Sequence, residues 1–214
     1  MDDFAAAREE MVRRQIEGRG IANPRLLAAM RAVPREAFVP EHLAEMAHDD
    51  MPLPIEAGQT ISQPYIVAMM IDAAGVAPGA KVLEIGAGSG YAAAVIGRIA
   101  DEVIAIERHA KLARLAAARM ERLGYGNVWI VEGDGSAGMP KEAPFDAILA
   151  AASGSHVPEV LKRQLVVGGT LVMPVGEPGA VQSLVKVTRA ADDIYRSEDL
   201  GAVRFVPLIG EQGW

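Results

Sequence analysis

One run of nine residues, Val82-Leu83-Glu84-Ile85-Gly86-Ala87-Gly88-Ser89-Gly90, limits the fold of this chain more than any other stretch. Val82, Leu83 and Ile85 give a buried-strand signal that runs straight into a glycine turn, and a helical pattern opens at Tyr91. Glycine at such a turn reaches backbone angles barred to other residues and lets a ligand come close to the main chain. Strand, glycine turn and helix together form the first unit of an open α/β sheet.

Matching units follow. Residues 81–85, 103–107 and 128–132 read as three strands, with helical patterns over 91–99 and 109–123 between them. The second helix carries Leu112, Leu115, Ala116 and Met120 on one face. Parallel strands joined by crossover helices are the expected arrangement. Residues 146–150 read as a fourth strand, 157–165 as a helix, and 170–175 as a fifth strand after Gly168-Gly169. Residues 182–188 and 202–206 are expected to add an antiparallel pair. Upstream, residues 5–16 predict an amphipathic helix stopped by Gly18 and Gly20, and Asn23-Pro24 reads as a cap and first-turn proline of a helix through Met30. Pro34, Pro40, Pro52, Pro54 and Pro64 punctuate the next stretch, which predicts short helices and loops without a clear strand. The expected fold is α/β: a mostly parallel central sheet with helices on both faces and an N-terminal helical segment. At 214 residues, half of them apolar, the chain suits one domain, with 1–78 as helices and a ligand loop and 79–214 as the sheet core.

Several chemistries are excluded by composition. Cysteine is absent, which removes thiol catalysis, disulfides and cysteine-based zinc sites together. His42, His48, His109 and His156 lack paired metal-ligand spacing, so no metal is expected. No P-loop and no Gly-x-Ser-x-Gly nucleophile turn occurs. A formal charge of -7, from 28 acidic and 21 basic side chains, has the wrong sign for broad attraction to nucleic acid or anionic lipid. Met1-Asp2-Asp3-Phe4 opens no signal peptide, and no apolar run spans a bilayer, so a cytoplasmic protein without an obligate protein partner is the expectation.

The ligand of the glycine turn follows from two departures. The dinucleotide fingerprint Gly-x-Gly-x-x-Gly needs glycine at position 91, where Tyr91 stands. Glu84, just before the glycines, repels a diphosphate and favours a cationic ligand. S-adenosylmethionine, with a sulfonium and an ammonium but no phosphate, meets that description. Glu107 closes the second strand, where a carboxylate can accept from both ribose hydroxyls, and Asp134 between Gly133 and Gly135 can accept from the adenine amino group. Each feature alone also has a structural reading: a capping carboxylate for Glu84, a solvated strand end for Glu107, a tight turn for 133–135. Ser62, two residues before Pro64, likewise reads as an N-cap of the helix carrying Val67, Met69, Met70 and Ile71.

Taken together, the runs Gly58-Gln59-Thr60-Ile61-Ser62-Gln63-Pro64-Tyr65 and Val82 to Gly90 resemble those of the protein-L-isoaspartate O-methyltransferases. Further matches are Arg35-Glu36-Ala37-Phe38-Val39-Pro40, Met51-Pro52-Leu53-Pro54-Ile55, Gly133-Asp134-Gly135 and Val203-Arg204-Phe205-Val206-Pro207-Leu208. Thr60-Ile61-Ser62-Gln63-Pro64 is characteristic of that family, whereas the glycine turn is common to many methyltransferases. The resemblance implies a Rossmann-like class I methyltransferase fold and methyl transfer from S-adenosylmethionine, with S-adenosylhomocysteine as product. Its acceptor is the free α-carboxylate of L-isoaspartyl residues in damaged proteins and peptides. It places the catalytic serine on Ser62 and the cofactor contacts on Ile55, Gly58, Thr60, Glu84, Ile85, Gly86, Ala87, Gly88, Ser89, Glu107, Arg108, Asp134 and Gly135. The substrate wall falls on Ile61, Ser62, Gln63, Val203, Phe205 and Val206. Ala151, Gly154, Ser155 and His156 depart from the family pattern in the loop after the fourth strand.

The implied chemistry needs no strong base, because a carboxylate is already ionised at neutral pH and attacks the methyl carbon directly. Positioning is then the main task, with Ser62 as a neutral donor that orients the anion without quenching it. The ester makes methoxide a better leaving group than oxide, so a succinimide closes and hydrolyses in part to normal aspartate. Rival readings are a methyltransferase of the same fold acting on another carboxylate, a nicotinamide oxidoreductase, and a non-catalytic S-adenosylmethionine sensor.

Overall fold

The computed structural model describes residues 4–214, so the leader expectation at residues 1–3 lies outside it. Its helices are α1 Ala5–Met11, α2 Pro24–Ala32, α3 Pro64–Ala74, α4 Tyr91–Gly97, α5 Ala110–Leu123 and α6 Glu159–Arg163. Its strands are β1 Leu53–Pro54, β2 Thr60–Ile61, β3 Lys81–Ile85, β4 Glu102–Glu107, β5 Val128–Glu132, β6 Phe145–Ala150, β7 Leu165–Val175, β8 Gln182–Ala191 and β9 Ile194–Val203. α1 continues over Val12–Ile16 with π-helical bonding. Asn23 caps α2 as expected, its side chain accepting from the Arg25 and Leu26 N–H groups.

Seven strands form one sheet in the order β5-β4-β3-β6-β7-β8-β9. β3 pairs in parallel with both β4 and β6. The chain runs outward from β3 to β5 and returns on the other side of β3 at β6. That reversal opens a crevice at the carboxyl ends of the strands, where ligands of such sheets bind. β8 and β9 run antiparallel to their neighbours. One apolar core joins Met11, Leu26, Phe38 and Val67 of the N-terminal half to Val82, Val95 and Val103. A second lies around Leu83, Ile106, Phe145 and Leu161.

Three expectations are corrected. The proline-rich stretch does contain strands: β1 and β2 pair as Leu53 with Ile61 and Pro54 with Thr60, a ladder short enough for a proline. The helix expected over 157–165 spans only five residues, because Leu165 opens β7 opposite Phe145 and the Phe145 N–H donates to the Gln164 carbonyl. The last strand is Ile194–Val203 rather than 202–206; Val203 pairs with Gln182, and the chain leaves the sheet beyond it.

Candidate functional site

The glycine turn after β3 is held by φ values of 87°, 54° and 88° at Gly86, Gly88 and Gly90, all left-handed. Gly90 caps α4 and packs so close to α5 that a Cβ there would lie 2.9 Å from the Met120 methyl group. Glu107, at the end of β4, accepts from the Gly88 N–H at 2.8 Å through Oε2 and from the His109 N–H at 2.8 Å through Oε1. The two strand ends are thus locked together by a buried carboxylate, and the solvated reading of Glu107 does not hold.

Across the crevice, β1 and β2 deliver Thr60 and Ile61 to the opening. The turn between them is tight, with left-handed Ala57 (φ 56°) and Gly58 (φ 66°). Ser62 follows β2. Gln63 is the residue that caps α3, without a side-chain bond, so Ser62 is not the cap. Its carbonyl accepts from the Arg35 guanidinium at 2.7 Å. Arg35 is fully buried, donates also to the Ala47 carbonyl at 2.7 Å, and lies over the Tyr91 ring, 4.7 Å from its centroid. Burial pushes this guanidinium below its ordinary pKa, with Tyr91 pulling the other way.

A cavity of about 440 Å³ lies between these walls. Among the expected site residues it is lined by Thr60, Ile61, Ser62, Gln63, Glu84, Gly86, Ala87, Gly88, Ser89, Glu107, Val203, Phe205 and Val206. A second cavity, about 310 Å³, takes in Gly58, Ile85, Arg108 and Gly135. Gln59, Gly86, Glu107 and Val206 line both, so the two spaces meet at Glu107. Ile55 lines neither; its δ-methyl would sit 3.6 Å from a Cβ on Gly88, so it packs behind the turn. Asp134 also lines neither. Its Oδ1 accepts from the Ser136 N–H and its Oδ2 from the Glu211 N–H, both at 2.8 Å, so an adenine amino group would have to share these oxygens. Burial raises the Asp134 pKa, but those N–H groups, the Ser136 hydroxyl and the Arg108 charge outweigh it and leave it below the ordinary value.

Glu84 is 2% exposed and its Oε2 has no hydrogen-bond partner. Burial first, then the negative charge of Glu107, push its carboxyl up to about 8, with the Ala93 N–H acting against them. An orphaned buried carboxylate facing a cavity fits a ligand that brings its own positive charge, as S-adenosylmethionine does. It does not fit a diphosphate.

The wall opposite Ser62 is built without a ladder. Gln182, 2% exposed, accepts from the Phe205 N–H at 2.7 Å and donates to the Phe205 carbonyl at 3.3 Å, taking the place of a strand neighbour. Ser153, in the loop that departs from the family pattern, pairs its backbone with Val206 and Leu208. Sequence reasoning missed Gln182, Arg35 and Arg204. Arg35 and Arg204 stand inside runs already singled out, whereas nothing local marks Gln182. Among the described residues no group of His, Asp and Glu has a metal-site arrangement, and no helix is long and apolar enough to cross a membrane.

Residues 6–213 match the family model described as protein-L-isoaspartate(D-aspartate) O-methyltransferase. The chain is 59% identical over 211 residues to protein-L-isoaspartate O-methyltransferase 1 of Rhodopseudomonas palustris (strain HaA2), covering 99% of this chain and 86% of that protein. It is 56% identical to protein-L-isoaspartate O-methyltransferase 2 of Pelobacter propionicus, covering 97% of this chain and 92% of the relative. A solved protein-L-isoaspartate O-methyltransferase superposes with a TM-score of 0.87 at 29% identity, over 96% of this chain and 67% of its own. A Plasmodium falciparum structure described as a protein of that type in complex with S-adenosyl-L-homocysteine gives 0.81 at 25% identity, over 94% and 98%.

Proposed function

Because the chain belongs to the protein-L-isoaspartate(D-aspartate) O-methyltransferase family, we propose that its two joined cavities work as one methyl-transfer site, with Ser62 on the acceptor side. The activity is S-adenosylmethionine-dependent methyl esterification of isoaspartyl residues in proteins, the first step of their repair. When bound, S-adenosylmethionine supplies a methyl group carried on a sulfonium and leaves as neutral S-adenosylhomocysteine.

Glu84 and Glu107 hold the cofactor side, Glu84 facing positive charge and Glu107 accepting from ribose hydroxyls. Ile85, Arg108 and Gly135 border the smaller cavity and take the adenine end, while Asp134 braces that end from behind through the Ser136 and Glu211 amides. Thr60, Gly86, Ala87, Gly88 and Ser89 line the space between, and Gly58 and Ile55 shape it from the loop side. Ser62 donates its hydroxyl proton in a hydrogen bond to one oxygen of the α-carboxylate and leaves the other oxygen free to attack. Ile61, Gln63, Val203, Phe205 and Val206 shape the acceptor end and keep water away from it. We read the chain as a single domain, since the N-terminal helices share an apolar core with the sheet.

The observation that carries this reading is the shared cavity, which brings a Ser62 free of cap duty to the same space as the buried Glu84 carboxyl, whose Oε2 has no hydrogen-bond partner. Radiolabelled S-adenosylmethionine offered with paired peptides, isoaspartyl and aspartyl at one position, is expected to label the isoaspartyl peptide. Label on the aspartyl peptide alone, or on neither, overturns the proposal.

Arg35 acts as a positioning residue through the Ser62 carbonyl. Arg35→Met is expected to lower kcat on the isoaspartyl peptide about tenfold, because small displacements of an orienting group are costly, while S-adenosylhomocysteine affinity holds. Arg35→Lys, able to reach one of the two carbonyls, is expected to recover part of the loss. A change in melting temperature with kcat intact would leave Arg35 a structural role only.

A further inference from the structure

Charge is scarce in the larger cavity. Of its lining residues only Glu84, Glu107 and Arg204 are acidic or basic, and both carboxyl groups are buried at the glycine-turn end. Arg204 is the single cation, and it stands on the acceptor wall across from residues 60–63. Its two neighbours are fixed: Val203 pairs with Gln182 in the sheet, and Phe205 is clamped by the Gln182 amide. The Arg204 side chain itself is exposed and makes no hydrogen bond or ion pair among the described residues. A guanidinium on a rigid base with its fork unused is preorganised for a carboxylate that arrives with the substrate.

That carboxylate is not the acceptor. The methyl-accepting oxygen must keep its nucleophilicity, which a paired guanidinium would reduce, and it belongs inside the cavity beside Ser62 rather than at the exposed wall. An extended peptide crossing the opening sets neighbouring side chains about 3.3 Å further along per residue, within the sweep of an arginine. We propose that Arg204 is a specificity-determining residue that binds an acidic side chain flanking the isoaspartyl residue, so that the enzyme favours acidic over basic sequence contexts. This inference rests on the methyl-transfer reading above.

The test uses isoaspartyl peptides carrying Glu, Gln or Lys immediately before or after the isoaspartyl position, with the full-length wild-type protein, Arg204→Gln and Arg204→Glu. Wild type is expected to prefer Glu to Lys by about tenfold in kcat/KM at one of the two positions, mostly through KM, and to lose most of that preference at about 0.5 M salt. In Arg204→Gln the ratio is expected to fall to about one, and in Arg204→Glu to reverse. An unchanged ratio in Arg204→Gln, or an equal loss on all peptides, overturns the assignment; the latter would put Arg204 on the acceptor carboxylate. A wild-type protein that methylates none of the isoaspartyl peptides overturns the proposed function itself.

Discussion

Ser62→Ala is expected to lower kcat on an isoaspartyl peptide by about tenfold to a hundredfold while the melting temperature stays within about 2 °C of wild type. The two halves of that expectation come from different observations. Ser62 lines the cavity and is not the residue that caps α3, so deleting its oxygen breaks no cap. A hydrogen bond from a neutral donor to an ionised acceptor contributes about 1.5–3 kcal/mol, and here it is made to a group that must stay aligned during methyl transfer. The loss therefore belongs to kcat/KM for the peptide and not to cofactor affinity. Calorimetry with S-adenosylhomocysteine and steady-state kinetics on the same variant separate the two. A fall in stability of about 1 kcal/mol with kcat preserved would return Ser62 to a structural role.

How legible this site was in the sequence depended on how local its contacts are. β3 and β4 were readable to within a residue because they are short apolar runs buried between neighbouring strands and bounded by turns, and β5, at the sheet edge and only partly buried, was readable from its β-branched and aromatic run Val128-Trp129-Ile130-Val131. β9 was not, because nearly all of Ile194–Val203 faces solvent at the edge of the sheet and its polar residues show no period of two. Glu84 and Glu107 could be placed at the crevice from the sequence because each lies at or next to the carboxyl end of a strand whose position follows from the pattern. The buried state that makes Glu84 unusual depends on packing that no short window records. Arg35 reaches Ser62 across 27 residues and Gln182 reaches Phe205 across 23, so both were invisible locally. Asp134 shows the converse: a turn between two glycines reads as an open acceptor, and only the return of the chain at Glu211 reveals that backbone amides engage both oxygens.

Glu84→Gln is expected to make the cofactor-free protein more stable and a weaker binder of S-adenosylmethionine, with the stability gain growing as pH rises. The folded protein holds the Glu84 proton up to about pH 8, whereas the unfolded chain releases it near the ordinary 4.5 of a glutamate. A carboxyl whose pKa is raised by folding contributes stability that is fully present below 4.5 and is lost as pH climbs through 8. The loss over that window is on the order of 5 kcal/mol if the whole shift is expressed, since each unit is about 1.4 kcal/mol. Glutamine does not ionise, so the variant and wild type should melt alike near pH 4.5, and the variant should melt on the order of 10 °C higher above pH 8. A cationic ligand reverses the balance: it pairs with the ionised carboxylate, pulls its pKa down and expels the proton. Wild type should therefore release close to one proton per S-adenosylmethionine bound at pH 7, measured by calorimetry in buffers of different ionisation enthalpy, and the variant close to none. Equal proton release in both, or melting curves that stay parallel from pH 4.5 to 9, would mean that Glu84 does not carry the charge on which the cofactor side of the site depends.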